Sequence, residues 1–257
     1  TDWAIDYVDA RRGERTPFFL YLAYNAPHFP IQPPPSYVDK VFSRERGIDS
    51  ARAKNVAFIE HLDSNIGRLM AELEKWQLLE NTLIIFSSDN GGATWYAQRN
   101  EPMRGAKQQM FEGGIRVPTF AFWKGRIEAG TTDNVGVLMD WMPTLLELVG
   151  QPLEGKSDGI SLLPTVLGED QVTNQRYLFW VRREGGRYGG QAYYGARYGD
   201  YKILQNSAFE PMQLFKVGAD PFETDSLSVR DSKEFQDLKR ALQEHIQNTG
   251  SIPWQEP

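Results

Sequence analysis

Cysteine is absent from the 257 residues of this chain. Disulfide bonds, a thiolate metal site and a cysteine nucleophile are therefore excluded within it. Histidine is scarce, and only His28, His61 and His245 could take part in imidazole chemistry. The spacing places His61 on the polar face of a helix and His245 near a helix end, whereas His28 lies in a proline-stiffened loop. Only His28 is therefore a candidate for chemistry, with a purely structural loop residue as the alternative.

Long apolar runs and clusters of basic residues are also missing. No apolar run reaches the roughly 20 residues that a membrane-spanning helix needs. The net charge is −6, with lysine and arginine scattered along the chain. We therefore expect neither nucleic acid nor a membrane as a partner. The apolar fraction of 40% is enough for a substantial core.

The first two thirds of the chain show the alternation of strands and helices that is typical of an α/β fold. Apolar runs at Pro17–Tyr24 and Thr82–Ser87 predict buried parallel strands, and residues 53–76 between them have helical spacing. Such a strand–helix–strand unit should be right-handed, with both strands ending at one edge of the sheet. A third strand is predicted at Val117–Trp123, and a helix from Asp140 to Gly150.

The pattern changes from about Arg176 onwards. Short alternating segments separated by turn residues predict a small antiparallel sheet, with strands at Tyr177–Arg183, Gln191–Tyr198, Tyr201–Leu204 and Met212–Phe215. A helix from Ser232 to about Gln247 follows. We therefore predict an α/β fold in two parts. Residues 1–172 form a partial sheet sandwiched by helices, and residues 173–257 form an antiparallel-sheet subdomain with a helix.

The segment Ser88-Asp89-Asn90-Gly91-Gly92 directly follows the second predicted strand. Ligands of open α/β sheets bind beyond the carboxyl ends of the strands. A carboxylate and an amide oxygen at that place suit a hard metal ion, although the same residues also suit a simple turn. Because the loop of His28 should leave the same sheet edge, we expect His28, Asp89 and Asn90 to converge.

A long loop from Gly91 to Val117 carries a further candidate. Lys107 in this loop can neutralise an anionic substrate, and Glu112-Gly113-Gly114 gives the backbone room to approach a ligand. The alternative for Lys107 is an ordinary solvated surface lysine.

Several sequence blocks together resemble the type I sulfatases, which are arylsulfatase-like members of the alkaline phosphatase superfamily. The blocks are Tyr24–Pro30, Asn81–Gly92, Arg104–Lys107, Phe111–Pro118, Asp158–Pro164, Leu214–Phe215 and Asp220–Thr224. They occur in the order of the family and cover nearly the whole chain. The resemblance implies an alkaline-phosphatase-like fold and hydrolysis of an aryl or carbohydrate sulfate ester.

The resemblance also implies roles for individual residues. Those matching Asp89 and Asn90 coordinate Ca²⁺, and those matching His28 and Lys107 contact the sulfate group. Arg104 and Trp95 are weaker candidates for lining the substrate pocket. The resemblance further implies a sulfated small molecule or glycan as the partner, and a periplasmic or secreted protein.

The chain departs from the family in two important respects. Sulfatases make a formylglycine nucleophile from a Cys/Ser-x-Pro-Ser-Arg motif, and this sequence contains no such motif. It also lacks the early strand whose two aspartates complete the calcium site. We expect a C-terminal part of a sulfatase, with the missing N-terminal half on the same or another chain, and no turnover by this chain alone. A phosphate or phosphonate ester hydrolase of the same superfamily and a non-catalytic binding remnant are the alternatives.

Overall fold

The computed structural model describes residues 1–183 and 192–250. The chain forms two compact units. The first unit comprises Thr1–Ile85, Ala93–Gln98 and Ala121–Ile127; the second comprises Phe86–Gly92, Arg99–Phe120 and the chain from Glu128 onwards. The expected domain boundary at residue 172 stays a prediction.

Three α-helices precede the first strand, and the later helices and strands lead into a run of four strands. The helices are α1 (Asp2–Asp9), α2 (Pro35–Arg44), α3 (Ser50–Lys75), α4 (Glu112–Ile115), α5 (Trp141–Leu148), α6 (Leu163–Val166) and α7 (Lys233–Gly250). The strands are β1 (Ile84–Ser87), β2 (Thr119–Phe122), β3 (Tyr177–Arg183), β4 (Ala192–Tyr198), β5 (Tyr201–Gln205) and β6 (Gln213–Lys216). The predicted α/β class is confirmed.

The long helix α3 organises the first unit. Its first turn is capped by Asp49, whose carboxylate accepts a hydrogen bond from the Arg52 amide at 3.0 Å. Near this end, the small side chains of Ala53 and Ala57 are fully buried with Val41 of α2, so the two helices can approach closely. At the other end, α3 joins a second apolar cluster whose buried members are Val8, Leu73 and Leu79.

The predicted strand at Pro17–Tyr24 is wrong. The segment runs without regular secondary structure, and within the described residues it pairs with no strand. Phe18 and Leu20 pack on the second apolar cluster, whereas Phe19 and Tyr21 are exposed. The sequence predicts a segment with both faces buried, but in the structure only every second side chain of this segment is partly buried. The first strand of the predicted strand–helix–strand unit is thus absent.

The next two predicted strands are confirmed in shorter form. β1 and β2 make a two-stranded sheet. The rings of Phe86 and Phe120 stack with their centroids 5.0 Å apart, and the hydroxyls of Ser87 and Thr119 are hydrogen-bonded at 2.8 Å. β1 therefore carries the chain directly into the turn that begins at Ser88.

The antiparallel sheet at the end of the chain is confirmed. Its four strands follow the order β3-β4-β5-β6, each pairing antiparallel with the next. Helix α7 covers one face, and the shared core contains Ala196, Ile203, Leu214, Phe235, Leu238 and Leu242. Gln191, the first residue of the predicted second strand, lies outside the described residues.

Candidate functional site

The turn at Ser88–Gly92 leaves two oxygen-bearing side chains available. Asp89 is exposed, and its carboxylate makes no hydrogen bond or ion pair within the described residues. The Asn90 Nδ2 donates to the Gly91 carbonyl at 2.9 Å, and the Ser88 hydroxyl donates to the Asn90 carbonyl at 3.1 Å. These bonds shape the turn while the Asn90 Oδ1 has no partner in the described part of the chain.

Lys107 is tied to this turn through the backbone. Its amide donates to the Gly92 carbonyl at 3.0 Å. Asn100 reinforces the link: its Oδ1 accepts from the Gly92 amide at 2.7 Å, and its Nδ2 donates to the carbonyls of Gly92 and Gly105 at 2.9 and 3.1 Å. Lys107 itself is half-buried, and its ammonium has no partner among residues 1–183 and 192–250. The turn and Lys107 therefore belong to one network inside the second unit.

The glycines around this network permit backbone to pack directly on backbone. The Gly91 amide donates to the Gly114 carbonyl at 2.9 Å. A Cβ on Gly91 would lie 1.8 Å from the Gly113 oxygen, and one on Gly113 would lie 2.6 Å from the carbonyl oxygens of Arg104 and Gly105. The room beside Gly113 is filled by the protein itself. The expectation that this glycine lets the backbone approach a ligand is therefore wrong.

Behind the glycine pair lies a buried ion cluster of Glu112, Lys202 and Glu223. The Lys202 Nζ is 2.7 Å from the Glu112 Oε1 and 2.8 Å from the Glu223 Oε1. The second oxygen of Glu223 accepts from the Glu112 amide at 2.7 Å. Lys202 and Glu223 are 0% exposed. The cluster fixes the start of α4, and thereby the loop that carries Lys107, to strand β5.

The charges of this cluster do not cancel, since two carboxylates face one ammonium. Burial raises the pKa of Glu223, and the neighbouring Lys202 ammonium and Glu112 amide only partly offset that effect. Sequence reasoning missed the cluster. Glu112 and Glu223 fall within the family-like blocks Phe111–Pro118 and Asp220–Thr224, but nothing in the sequence indicates that they share a partner.

Arg104 is exposed, but its guanidinium already has contacts inside the second unit. It donates from Nη1 to the Glu223 carbonyl at 3.0 Å and lies 4.1 Å from the centre of the Phe111 ring. Both contacts attach the Lys107 loop to its surroundings. A role for Arg104 in substrate binding stays a prediction.

His28 and Trp95 belong to the first unit. The exposed His28 ring holds its Nδ1 2.7 Å from the Phe29 carbonyl oxygen. Because a carbonyl only accepts, Nδ1 carries the hydrogen and Nε2 is left for other partners. Trp95 lies in a short 3₁₀ helix, Thr94–Tyr96, with its side chain exposed. The convergence of His28 with Asp89 stays a prediction.

The donor chemistry of the turn fits Ca²⁺ in type but not in number. Calcium takes six to eight oxygen ligands from carboxylates, carbonyls and water. Asp89 and Asn90 offer a carboxylate and an amide oxygen. No cluster of three or more His, Cys, Asp or Glu residues able to hold a metal ion occurs among the described residues. These two side chains can therefore supply only part of a calcium site.

Two protein-family models match this chain. Residues 1–151 match the family model described as Sulfatase. Residues 105–251 match the model for the C-terminal part of N-sulphoglucosamine sulphohydrolase. The Sulfatase match covers more than half of the chain. The chain belongs to the sulfatase family.

Relatives match this chain over part of their own length. The uncharacterised sulfatase YdeN of Escherichia coli is 36% identical over 70% of this chain and 32% of its own length. The dog N-acetylgalactosamine-6-sulfatase is 35% identical over 70% of this chain and 34% of its own. The crystal structure of Ps i-CgsB in complex with k-i-k-neocarrahexaose has a TM-score of 0.86 at 28% identity, covering 95% of this chain and 53% of that one. The chain thus spans between about a third and a half of these proteins.

In the described part of the chain, no helix is both long and apolar enough to cross a membrane.

Proposed function

We propose that the complete protein containing this chain hydrolyses a sulfuric ester and that this chain supplies part of its active site. Asp89 and Asn90 are the proposed calcium ligands, and Lys107 and His28 the proposed contacts to the sulfate group. The observation that carries the proposal is the hydrogen-bonded link between Lys107 and the turn that holds Asp89 and Asn90. The functional atoms of all three residues are without partners in the described structure.

These residues have complementary tasks. A calcium ion, when bound, supplies positive charge against the sulfate oxygens. The Lys107 ammonium adds a second positive charge, and the hydrogen bond of the Lys107 amide to Gly92 fixes the backbone from which this side chain extends. The Phe29 carbonyl fixes the Nδ1–H of His28, so in its doubly protonated form the ring can pass its Nε2 proton to the leaving oxygen and become neutral. The formylglycine nucleophile belongs to the half of the family pattern that this sequence lacks.

The proposed substrate is an aryl or carbohydrate sulfate, with a carbohydrate sulfate favoured. Two of the relatives above carry a sugar in their names or titles, namely N-acetylgalactosamine-6-sulfatase and the Ps i-CgsB complex with k-i-k-neocarrahexaose. A periplasmic or secreted location is proposed by the same family resemblance.

The test is sulfate release by the complete protein from 4-nitrophenyl sulfate and from a sulfated galactan hexasaccharide. Lys107→Met should lower kcat/KM by about 10²- to 10³-fold, which is typical of losing one charge-stabilising group. Lys156→Met is the matched control, because Lys156 is an exposed lysine in the connection after α5. Equal kcat/KM for both variants would contradict the role of Lys107.

Calcium dependence tests the second part of the proposal. Asp89→Asn removes one negative charge from the turn, so the Ca²⁺ concentration for half-maximal activity should rise at least about tenfold. A 4-nitrophenyl phosphate assay runs in parallel, and a preference for the phosphate ester would overturn the proposed reaction. The 257-residue chain alone should show no turnover, since it has no formylglycine motif.

A further inference from the structure

Three exposed aromatic side chains lie side by side in the first unit. We call them the aromatic surface: Phe29, Trp95 and Tyr96. The rings of Phe29 and Tyr96 stack with centroids 4.8 Å apart and an angle of 13° between their planes. The Trp95 and Tyr96 centroids are 6.3 Å apart. Their exposed fractions are 54%, 55% and 39%, respectively. Contiguous apolar rings in water are unfavourable, so such a surface indicates contact with something else.

The backbone beneath the aromatic surface is held from several sides. The buried Asn55 of α3 donates from Nδ2 to the Tyr96 carbonyl at 2.5 Å. Gln98 bridges the two segments that carry the rings: its Oε1 accepts from the Ala93 amide at 2.6 Å, and its Nε2 donates to the Pro27 carbonyl at 2.9 Å. The backbone that carries the rings is therefore held in place before any ligand arrives, which lowers the entropy lost on binding.

The aromatic surface is also adjacent to a proposed catalytic residue. Phe29 directly follows His28, and the Phe29 carbonyl accepts the hydrogen bond from the His28 Nδ1 at 2.7 Å. A substrate whose sulfate group reaches His28 would extend its remaining part over neighbouring residues of the same unit.

We propose that the aromatic surface is a carbohydrate subsite, on which a sugar ring of a sulfated oligosaccharide stacks while its sulfate is held at the active site. This inference rests on the proposed function. One face of a pyranose ring presents C–H groups, which lose contact with water against a flat aromatic ring while the hydroxyls stay solvated at the rim. The faces of aromatic rings are electron-rich and disfavour anions. The aromatic surface therefore suits the uncharged sugar ring and not the sulfate group.

Binding of an uncharged probe separates stacking from sulfate chemistry. The probe is a chemically desulfated galactan hexasaccharide, titrated into the complete protein by calorimetry. Trp95→Ala should weaken its Kd about tenfold, as expected for exposing one ring face that the sugar had covered. Trp95→Phe keeps a flat ring and should retain most of the affinity. Trp95→Leu keeps apolar volume without a flat face and should behave like Trp95→Ala.

Phe209→Ala is the matched control, because Phe209 lies in the second unit with its side chain 99% exposed. This variant should bind the hexasaccharide like the unmodified protein. An unchanged Kd in Trp95→Ala, or equal binding by the Leu and Phe variants, would overturn the subsite. Sulfate release from 4-nitrophenyl sulfate is measured separately on the unmodified protein, so failure of the proposed reaction and failure of the subsite give different results.

A second measurement tests whether another protein segment covers these rings instead. Oxidation of tryptophan by N-bromosuccinimide, mapped by peptide mass spectrometry, should modify Trp95 in the complete protein. The hexasaccharide should slow that modification. Resistance of Trp95 to oxidation without sugar would mean that another segment or a second copy covers the aromatic surface, and the proposal would fail.

Discussion

Replacing Lys202 by methionine is the sharpest test of the buried ion cluster. The substitution keeps an unbranched side chain of similar length but removes the ammonium that lies 2.7 Å from Glu112 and 2.8 Å from Glu223. Two buried carboxylates would then lose the ammonium that binds them both. Because the site is closed to water, neither carboxylate can be hydrated in its place.

The expected loss follows from that geometry. Removing one partner of a buried ion pair costs about 3–5 kcal/mol, a large share of the roughly 5–15 kcal/mol that stabilises a typical domain. Burial already raises the pKa of Glu223, so protonation of this carboxylate is the way in which the variant can remove a buried negative charge. The destabilisation by Lys202→Met should therefore be larger at pH 7 than at pH 5. Adding Glu112→Gln to Lys202→Met should restore part of the lost stability.

Urea unfolding of the complete protein and its variants at pH 5 and pH 7 measures these differences. Lys233→Met is the control, since Lys233 makes its ion pair with Asp237 on the exposed face of α7. That variant should unfold almost like the unmodified protein. The reasoning fails if Lys202→Met unfolds at the same urea concentration as Lys233→Met, or if its destabilisation is the same at both pH values.

Two further outcomes concern the neighbourhood of the turn. Gly91→Ala places a Cβ 1.8 Å from the Gly113 oxygen. This clash should lower the free energy of unfolding, measured by thermal unfolding, by about 1–3 kcal/mol. It should also displace Asp89 and Asn90 and thereby lower kcat/KM about 100-fold. Its control is Gly67→Ala in α3, where a Cβ meets nothing within 4 Å, and where a gain of up to about 1 kcal/mol is expected. The second of these outcomes concerns pH. The pKa of Glu223 is higher in the folded protein than its ordinary value of 4.5, so protonation of Glu223 adds to the free energy of unfolding. This contribution is complete below pH 4.5 and is lost as the pH rises through the pKa of the folded state. Glu223→Gln should therefore unfold with a weaker dependence on pH above 4.5, as followed by urea midpoints at a series of pH values.

Local patterns in the sequence were enough to predict the antiparallel sheet and its helix. The strand at Tyr177–Arg183 has the bounds that were expected, because alternation of side chains and flanking turns are properties of the segment itself. The segment Pro17–Tyr24 has comparable apolar character, but it is not a strand. Strand formation requires a neighbour that completes the hydrogen-bond ladder, and the composition of one segment contains no information about that neighbour.

The same limit applies to the site. Asp89 and Asn90 could be found because their place after β1 follows from a general rule for α/β sheets. Lys202 could not, since it lies in a strand where a lysine normally points to solvent, and its partner Glu112 is 90 positions earlier. The role of Asn100 in joining Gly92 to the Lys107 loop was also invisible, because it depends on side-chain bonds to backbone atoms.

The buried ion cluster has a consequence for how this sequence can change over time. Its members lie 90 and 21 positions apart along the chain, yet both carboxylates bind the same ammonium. A charge-changing mutation at one codon leaves a defect that only a second mutation, far away in the gene, can repair. Across related genes, substitutions at positions 112, 202 and 223 should therefore appear together, with the C-terminal sheet and the Lys107 loop inherited as a single evolutionary module.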